Sequence, residues 1–190
     1  MLIGPHRRQA LKDVFVGTTA ERAVRTSRRP ILMANGVASG PYRQALVAVD
    51  FSQCSRDTLG VIQHLGLEQL MAISVVHVFD ASETSVMKRS AVGDEHLQDY
   101  LEEEQQRALL ALDGFLAEAH FKPIQRLVKH NDSSTAHVIH EAAREISADL
   151  LVVGTHGRTG IAKFLLGSVA QEVLRSATFD VLVARHFASS

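Results

Sequence analysis

The segment Asp149–Val169 constrains the fold of this chain more than any other. It begins with an apolar run, Leu150–Val153, that is typical of a strand buried on both faces of a sheet. A glycine-rich loop, Gly154–Gly160, follows the run, and Gly167 comes directly before an amphipathic segment. This order of strand, glycine loop and helix predicts a unit of an α/β fold.

The loop and the helix together predict an anion site at the start of that helix. Glycines let the backbone adopt conformations that other residues avoid, and they let an anion approach without a clash with a Cβ atom. The N–H groups of the first helical turn point at such an anion, and the helix dipole adds to the attraction. The spacing of Gly154, Gly157 and Gly167 differs from both the dinucleotide fingerprint and the Walker A loop.

Two further motifs make this pattern similar to that of a known family. The sequence VAVDFS occupies Val47–Ser52 near the start of the domain, and His77–Val78 stands at the end of the second predicted strand. With the glycine loop, these motifs resemble the ATP-binding branch of the universal stress protein family over about residues 42–186.

The resemblance implies a Rossmann-like α/β fold of the adenine nucleotide alpha-hydrolase-like type, with a doubly wound, five-stranded parallel sheet in the order 3-2-1-4-5. Alternating strand and helix signals also favour a parallel sheet with helices on both faces. Strands are predicted at Gln44–Val49, Ala72–Phe79, Ile124–Lys129, Leu150–Val153 and Val181–Ala184. Helices are predicted at Ser55–Leu67 (with Ser52 or Ser55 as the cap), Asp94–His120, Ser134–Ser147 and Gly167–Ala177, with a patternless loop at 80–93.

In that strand order, ligands bind where the order reverses, between the first and fourth strands. The resemblance implies ATP at this point, with or without magnesium. Asp50 would approach the base and ribose, Val78 would read the adenine edge through its backbone, and Gly154 would lie by the ribose. The implied cofactor-binding residues are Asp50, Val78, Gly154, Gly157, Arg158, Gly167, Ser168 and Val169, the last five around the phosphates.

The residues themselves leave alternatives open at several of these positions. Asp50 could cap the first helix, and Arg158 could be an exposed loop arginine. His156 could shuttle a proton near neutral pH, although packing of the loop is the interpretation that we favour. His137 and His140 share a helix without a third ligand nearby in sequence, so we predict neither a metal site nor a catalytic residue.

The resemblance implies a stress-response module that acts through nucleotide occupancy and dimerisation. A nucleotide-free interaction scaffold and a slow ATPase are the alternatives. The chain lacks an SGGxDS-type loop after the first strand, where Asp50-Phe51-Ser52 stands instead. We therefore expect weak ATP hydrolysis at most.

The N-terminal segment, residues 1–34, repeats the end of the chain. A shift of 150 positions places Gly4 on Gly154, Gly17 on Gly167 and the strand-like PILMA on DVLVA. We therefore predict a remnant of a first domain (its last loop, helix and strand) at 1–34, a linker at 35–41 and a complete domain at 42–186. The expected origin is the C-terminal part of a tandem protein, through a truncated gene or a misplaced start codon.

The last predicted strand, Val181–Ala184, needs a partner because an edge strand exposes unpaired backbone groups. Ile31–Ala34 could pair with it directly, and family members pair last strands across a dimer. Because the remnant helix lacks its own sheet, we expect apolar surface on it to be uncovered, and oligomers or local disorder of residues 1–34.

Composition excludes several partners. The net charge is −1, so we expect no attraction to nucleic acid or to acidic membranes. The segment 1–34 is basic, but Ala20, Ala23 and Val24 form an apolar stripe, which favours a solvated helix over a nucleic-acid-binding arm. One cysteine, Cys54, excludes an intramolecular disulfide, and the chain has no secretory signal or long apolar span. We expect a cytoplasmic protein.

Overall fold

The computed structural model describes residues 2–3, 22–24, 26–27, 29–35, 40–81, 94–155 and 166–184. Seven strands form one sheet: β1 (Leu2–Ile3), β2 (Ile31–Met33), β3 (Gln44–Val49), β4 (Ala72–Phe79), β5 (Gln125–His130), β6 (Leu150–Gly154) and β7 (Asp180–Ala184). The helices are α1 (Gln53–His64), α2 (Asp94–Glu118), α3 (Thr135–Glu145) and α4 (Ser168–Ser176), and residues 22–24 and 26 are also helical.

The α/β fold is confirmed, but the expected sheet of five parallel strands is incomplete. The strand order is β1-β2-β7-β6-β3-β4-β5, and β2 runs antiparallel to β7 while the other neighbours are parallel. The expected five strands did not include the segment 1–34, whose strands β1 and β2 extend the same sheet beyond β7; the pairing of Ile31–Ala34 with the last strand was one of the expectations. The helix α1 begins at Gln53 rather than Ser55, because Ser52 is the residue that caps it.

Two buried clusters cover the two faces of the sheet. One lies under α1 and α2 and includes Leu59, Ile62, Leu112 and Phe115, and the other lies under α3 and α4 and includes Ile139 and Val173. The central strands β3 and β6 contribute to both clusters, because their side chains alternate between the faces. This explains why both strands are nearly continuous apolar runs in the sequence.

The strand pairing repeats with the same shift as the sequence. In β1 and β2, Leu2 pairs with Leu32 and Ile3 with Met33. In β6 and β7, the residues 150 positions further on form the equivalent pairs, Val152 with Leu182 and Val153 with Val183. The β1–β2 pair is therefore a second copy of the β6–β7 pair, in the same register.

The antiparallel contact joins these two copies about a local two-fold axis. Leu32 pairs with Leu182, which is its own counterpart in the repeat, and the flanking pairs are Ile31 with Val183 and Met33 with Val181. The edge of β7 is thus covered by β2 of the same chain. This is the first of the two expected arrangements, pairing with Ile31–Ala34, and not pairing of last strands across a dimer. A homo-oligomer through the last strand would need β2 to leave this edge.

The helical residues before β2 are also better covered than expected. Val24 is buried in the same cluster as Ile31, Met33 and Val173. The local two-fold axis explains this, because it places the helical residues on the sheet face that carries α4. The expectation of uncovered apolar surface is therefore wrong at Val24.

A polar cluster anchors the chain between β2 and β3. The Asp180 carboxylate accepts hydrogen bonds from the Asn35 backbone N–H (2.7 Å) and the Tyr42 hydroxyl (2.6 Å). The Asn35 side-chain amide also donates to the Phe179 carbonyl (3.0 Å). Burial and the adjacent Asp180 raise the pKa of Tyr42, so its hydroxyl stays protonated as the donor.

We predict that Ile31→Ala lowers the free energy of unfolding by about 2 to 5 kcal/mol, because Ile31 is only 1% exposed in the core. Urea denaturation followed by circular dichroism measures this change. The control is Leu110→Ala, whose side chain is 71% exposed and should change stability by less than about 0.5 kcal/mol. Equal results for the two variants would show that β2 is not part of the cooperative fold.

A second prediction concerns His140, which is 4% exposed between α3 and α4. Its Nε2–H donates to the Ser176 hydroxyl (3.1 Å), and its ring stacks on Phe179. Burial, with a smaller contribution from the charge of Arg144, lowers the pKa of His140. The unfolded chain therefore takes up a proton below about pH 6.5 before the folded chain does, which destabilises the fold as the pH falls.

We accordingly expect the free energy of unfolding to fall as the pH drops below about 6.5, and to fall less in His140→Phe, which keeps a ring but cannot titrate. Denaturant titrations across this pH range measure both slopes. His137→Gln is the control, because His137 lies on the same helix but is exposed. The same slope in wild type and His140→Phe would contradict the prediction.

Candidate functional site

The strand order reverses between the neighbouring strands β3 and β6, which is where an α/β sheet forms a crevice at its carboxyl edge. The chain leaving β3 returns through β4 on one side, and the chain leaving β6 returns through β7 on the other. The following helices, α1 and α4, lie on opposite faces, so the connections diverge. The register, with Val47 beside Val152, brings the carboxyl ends of both strands to the same edge.

Asp50 organises the turn between β3 and α1. One oxygen of its carboxylate, Oδ1, accepts from the Ser52 N–H (3.1 Å), the Ser52 hydroxyl (2.5 Å) and the Ser55 hydroxyl (2.7 Å). Ser52 is the N-cap of α1 and accepts from the Ser55 N–H (3.3 Å). Asp50 is therefore not the cap itself: Ser52 caps the helix, and the Asp50 carboxylate holds Ser52 in place.

An aromatic stack that the sequence did not indicate lies next to this turn. The Phe51 ring stacks on the buried imidazole of His77, with centroids 4.0 Å apart, and Phe51 has a left-handed backbone with φ of 65°. The signal was a single histidine inside strand β4, whose other residues except Ser74 are apolar. The neighbouring Val78 is half-buried and faces the opposite side, towards α3 and α4.

The start of α4 differs from the starts of α1 and α3. Ser52 and Ser134 cap those two helices with their side chains, whereas Gly167 is the N-cap of α4 and supplies no side-chain hydrogen bond. Gly167 has φ of −62° and ψ of 153°, which any residue can adopt. The backbone does not require glycine here. Because glycine has no side chain, the N-cap residue itself leaves the first-turn amides of α4 uncapped, as Ser52 and Ser134 do not at α1 and α3.

Gly154 has a packing role that the sequence did not indicate. A Cβ atom at this position would lie 2.9 Å from the Cys54 sulfur and 3.1 Å from the Thr58 hydroxyl oxygen. Both of these atoms belong to α1, so the missing side chain lets β6 and α1 pack closely. Thr155 continues the contact, with its hydroxyl 3.8 Å from the Cys54 sulfur.

The described residues thus bring together part of the predicted site. Asp50, Val78 and Gly154 stand at the carboxyl edge of the sheet, and the Gly167 N–H donates to the Thr155 carbonyl (2.7 Å), which ties the start of α4 to the end of β6. Gly157, Arg158 and His156 lie outside the described residues. Among the residues that the structure describes, no group of three His, Cys, Asp or Glu side chains could hold a metal ion.

The family model of the universal stress proteins matches residues 41–185. The chain belongs to the universal stress protein family. Family membership supports a stress-response function. Universal stress protein YxiE of Bacillus subtilis is 32% identical over 149 residues, which are 76% of this chain and 99% of the relative.

Longer relatives match almost the whole chain. Universal stress protein Rv2005c of Mycobacterium tuberculosis is 26% identical over 206 residues, which cover 97% of this chain but 61% of the relative. The crystal structure of a functionally unknown protein from Pseudomonas aeruginosa PAO1 has the same fold, with a TM-score of 0.65 and 21% identity, and covers 98% of this chain and 62% of that one. The chain therefore spans about three fifths of these proteins. No helix in the described part of this universal stress protein is long and apolar enough to cross a membrane.

We predict that Gly154→Ala lowers the free energy of unfolding by about 1 to 3 kcal/mol, because the added methyl group overpacks the contact between β6 and α1. Gly60→Ala is the matched control, since Gly60 lies within α1 with no atom near its absent Cβ. That variant should gain about 0.5 to 1 kcal/mol from helix propensity. Thermal and urea unfolding measure both changes, and a stabilising effect of Gly154→Ala would refute the packing role.

Proposed function

We propose that this universal stress protein binds ATP in the crevice between Asp50 and the start of α4, and acts in the stress response through nucleotide occupancy and association with partners. The observation that carries the proposal is the start of α4. Its N-cap is a glycine in a conformation open to any residue, so the N-cap residue offers no side chain to the amides of the first turn.

The donors at the start of α4 fit a phosphate group. The first-turn amides that Gly167 leaves uncapped and the positive end of the helix dipole favour an anion, and the exposed Ser168 can add a hydroxyl donor. A glycine N-cap lets an anion come close, whereas a serine or aspartate side chain would take the same amides. By resemblance to the family, Gly157, Arg158 and Val169 complete the phosphate contacts.

The other side of the crevice fits a nucleoside. Asp50 stands at the end of β3, and its carboxylate is held in one orientation by Ser52 and Ser55. A carboxylate in this position can accept hydrogen bonds from the hydroxyl groups of a ribose. The backbone at Val78, at the end of the adjacent strand, is suited to the edge of the adenine.

We also propose a domain organisation with a partial first unit at 1–34, a linker at 35–41 and a complete domain at 42–186. The repeated register of β1–β2 and β6–β7 supports the partial unit. The match of longer relatives over nearly the whole chain is consistent with a tandem arrangement.

The test is equilibrium binding of ATP, by calorimetry, to wild type and Gly167→Asp. An aspartate N-cap would accept the first-turn amides itself and repel phosphate, so ATP affinity should fall at least about tenfold, the equivalent of one charge-assisted hydrogen bond. The fold should be at least as stable as that of wild type, since aspartate is a better N-cap than glycine. Unchanged affinity in Gly167→Asp would refute the phosphate site.

Ser168→Ala is the control, because it removes a hydroxyl but keeps every amide of the first turn. Its ATP affinity should stay within about threefold of wild type, a smaller loss than that of a charged contact. The same titrations separate the alternative functions. Release of phosphate over multiple turnovers would favour the slow ATPase, and absence of ATP binding by wild type would leave the nucleotide-free scaffold.

A further inference from the structure

One buried side chain contacts the residues on both sides of Asp50. His77 donates its Nδ1–H to the backbone carbonyl of Val49 (2.9 Å). Its ring also stacks on Phe51, with an angle of 27° between the ring planes. Val49 precedes Asp50 and Phe51 follows it, so His77 fixes the backbone on both sides of the aspartate.

The backbone at Phe51 decides where the donors to Asp50 lie. With φ of 65°, Phe51 adopts a left-handed conformation that bulky residues rarely adopt. This turns the chain back, so that the Ser52 N–H and hydroxyl both reach the Asp50 carboxylate. The direction of the carboxylate therefore depends on residue 51 staying left-handed.

Aromatic contacts offset the strain at Phe51. Besides His77, its ring contacts Phe115 on α2, with centroids 5.4 Å apart. The guanidinium of Arg56 lies over the Phe115 ring (5.2 Å) and forms an ion pair with Glu118 (2.7 Å). The stack thus connects the turn to both helices on this face of the sheet.

This arrangement is not the simplest way to build a turn. A glycine at position 51 would adopt the same conformation without strain. An apolar residue at position 77 would fill the core without a buried polar group. Strained residues that the surroundings hold in place occur mostly where a site must be kept in one geometry.

We propose that His77 and Phe51 are positioning residues, whose stack holds residue 51 left-handed and thereby directs the Asp50 carboxylate into the nucleotide crevice. The proposal rests on the ATP site proposed above. Neither ring needs to contact the nucleotide, because both act through the backbone next to Asp50.

The test compares Phe51→Gly with Phe51→Ala in ATP binding and in urea unfolding. Both variants lose the ring, but only glycine adopts the left-handed conformation freely. ATP affinity should stay within about threefold of wild type in Phe51→Gly and fall about tenfold in Phe51→Ala, because only the alanine variant relaxes the turn. The glycine variant should also be at least as stable as the alanine variant, the reverse of the usual order.

A double-mutant cycle with Asp50→Ala separates positioning from a general loss of structure. If Phe51 acts through Asp50, Phe51→Ala should have no further effect on ATP affinity in the Asp50→Ala background. The proposal would be overturned, with the ATP site intact, if the effects of Phe51→Ala and Asp50→Ala on ATP affinity were additive. Equal ATP affinities of Phe51→Gly and Phe51→Ala would overturn it as well. Absence of ATP binding by wild type would overturn the ATP site and this proposal with it, and the order of stabilities would still report the strain at residue 51.

Discussion

The parallel pairing of β3 with β6 is the contact on which the rest of the structure depends. Three consecutive pairs, Ala45 with Leu150, Leu46 with Leu151 and Val47 with Val152, join two strands whose residues at these positions are buried. The chain runs from β3 to β4 on one side of this pair and from β6 to β7 on the other, so right-handed crossovers place the helices that follow on opposite faces. The sheet therefore has an opening at its carboxyl edge, and α1 and α4 begin on either side of it.

Apolar periodicity was sufficient to predict the elements of the main domain. Buried strands such as Leu150–Val153 stand out as short apolar runs, and amphipathic helices such as α4 have a period that no strand shares. The position of Asp50 at a strand end followed from the same pattern. The internal repeat predicted that Ile31–Ala34 is a strand able to pair with the last strand, and β2 pairs with β7 in the structure.

The remaining features depend on three-dimensional contacts that no sequence pattern encodes. In the sequence, Gly154 resembles a glycine that lets a ligand come close to the backbone. The atoms that would crowd a Cβ at this position come from α1, which is distant in the sequence. The left-handed Phe51 is tolerated only because His77 and Phe115 lie beside it. The burial of Val24 depends on the local two-fold axis, which appears only when both copies of the repeat are in place.

The three helix starts show how stability and ligand access compete in this fold. Serine caps stabilise α1 and α3, and each cap uses first-turn amides that a ligand would need. At α4 the N-cap residue, Gly167, has no side chain to take those amides, and the helix is held at other points: its Glu172 accepts from Ser134, the N-cap of α3 (2.8 Å), and its Ser176 accepts from His140. The helix can therefore dispense with a cap at its N-terminus because side-chain contacts to α3 fix its position. Glycine is a slightly weaker N-cap than serine or aspartate, and at position 167 it leaves the first-turn amides available to an anion, as the proposed phosphate site requires.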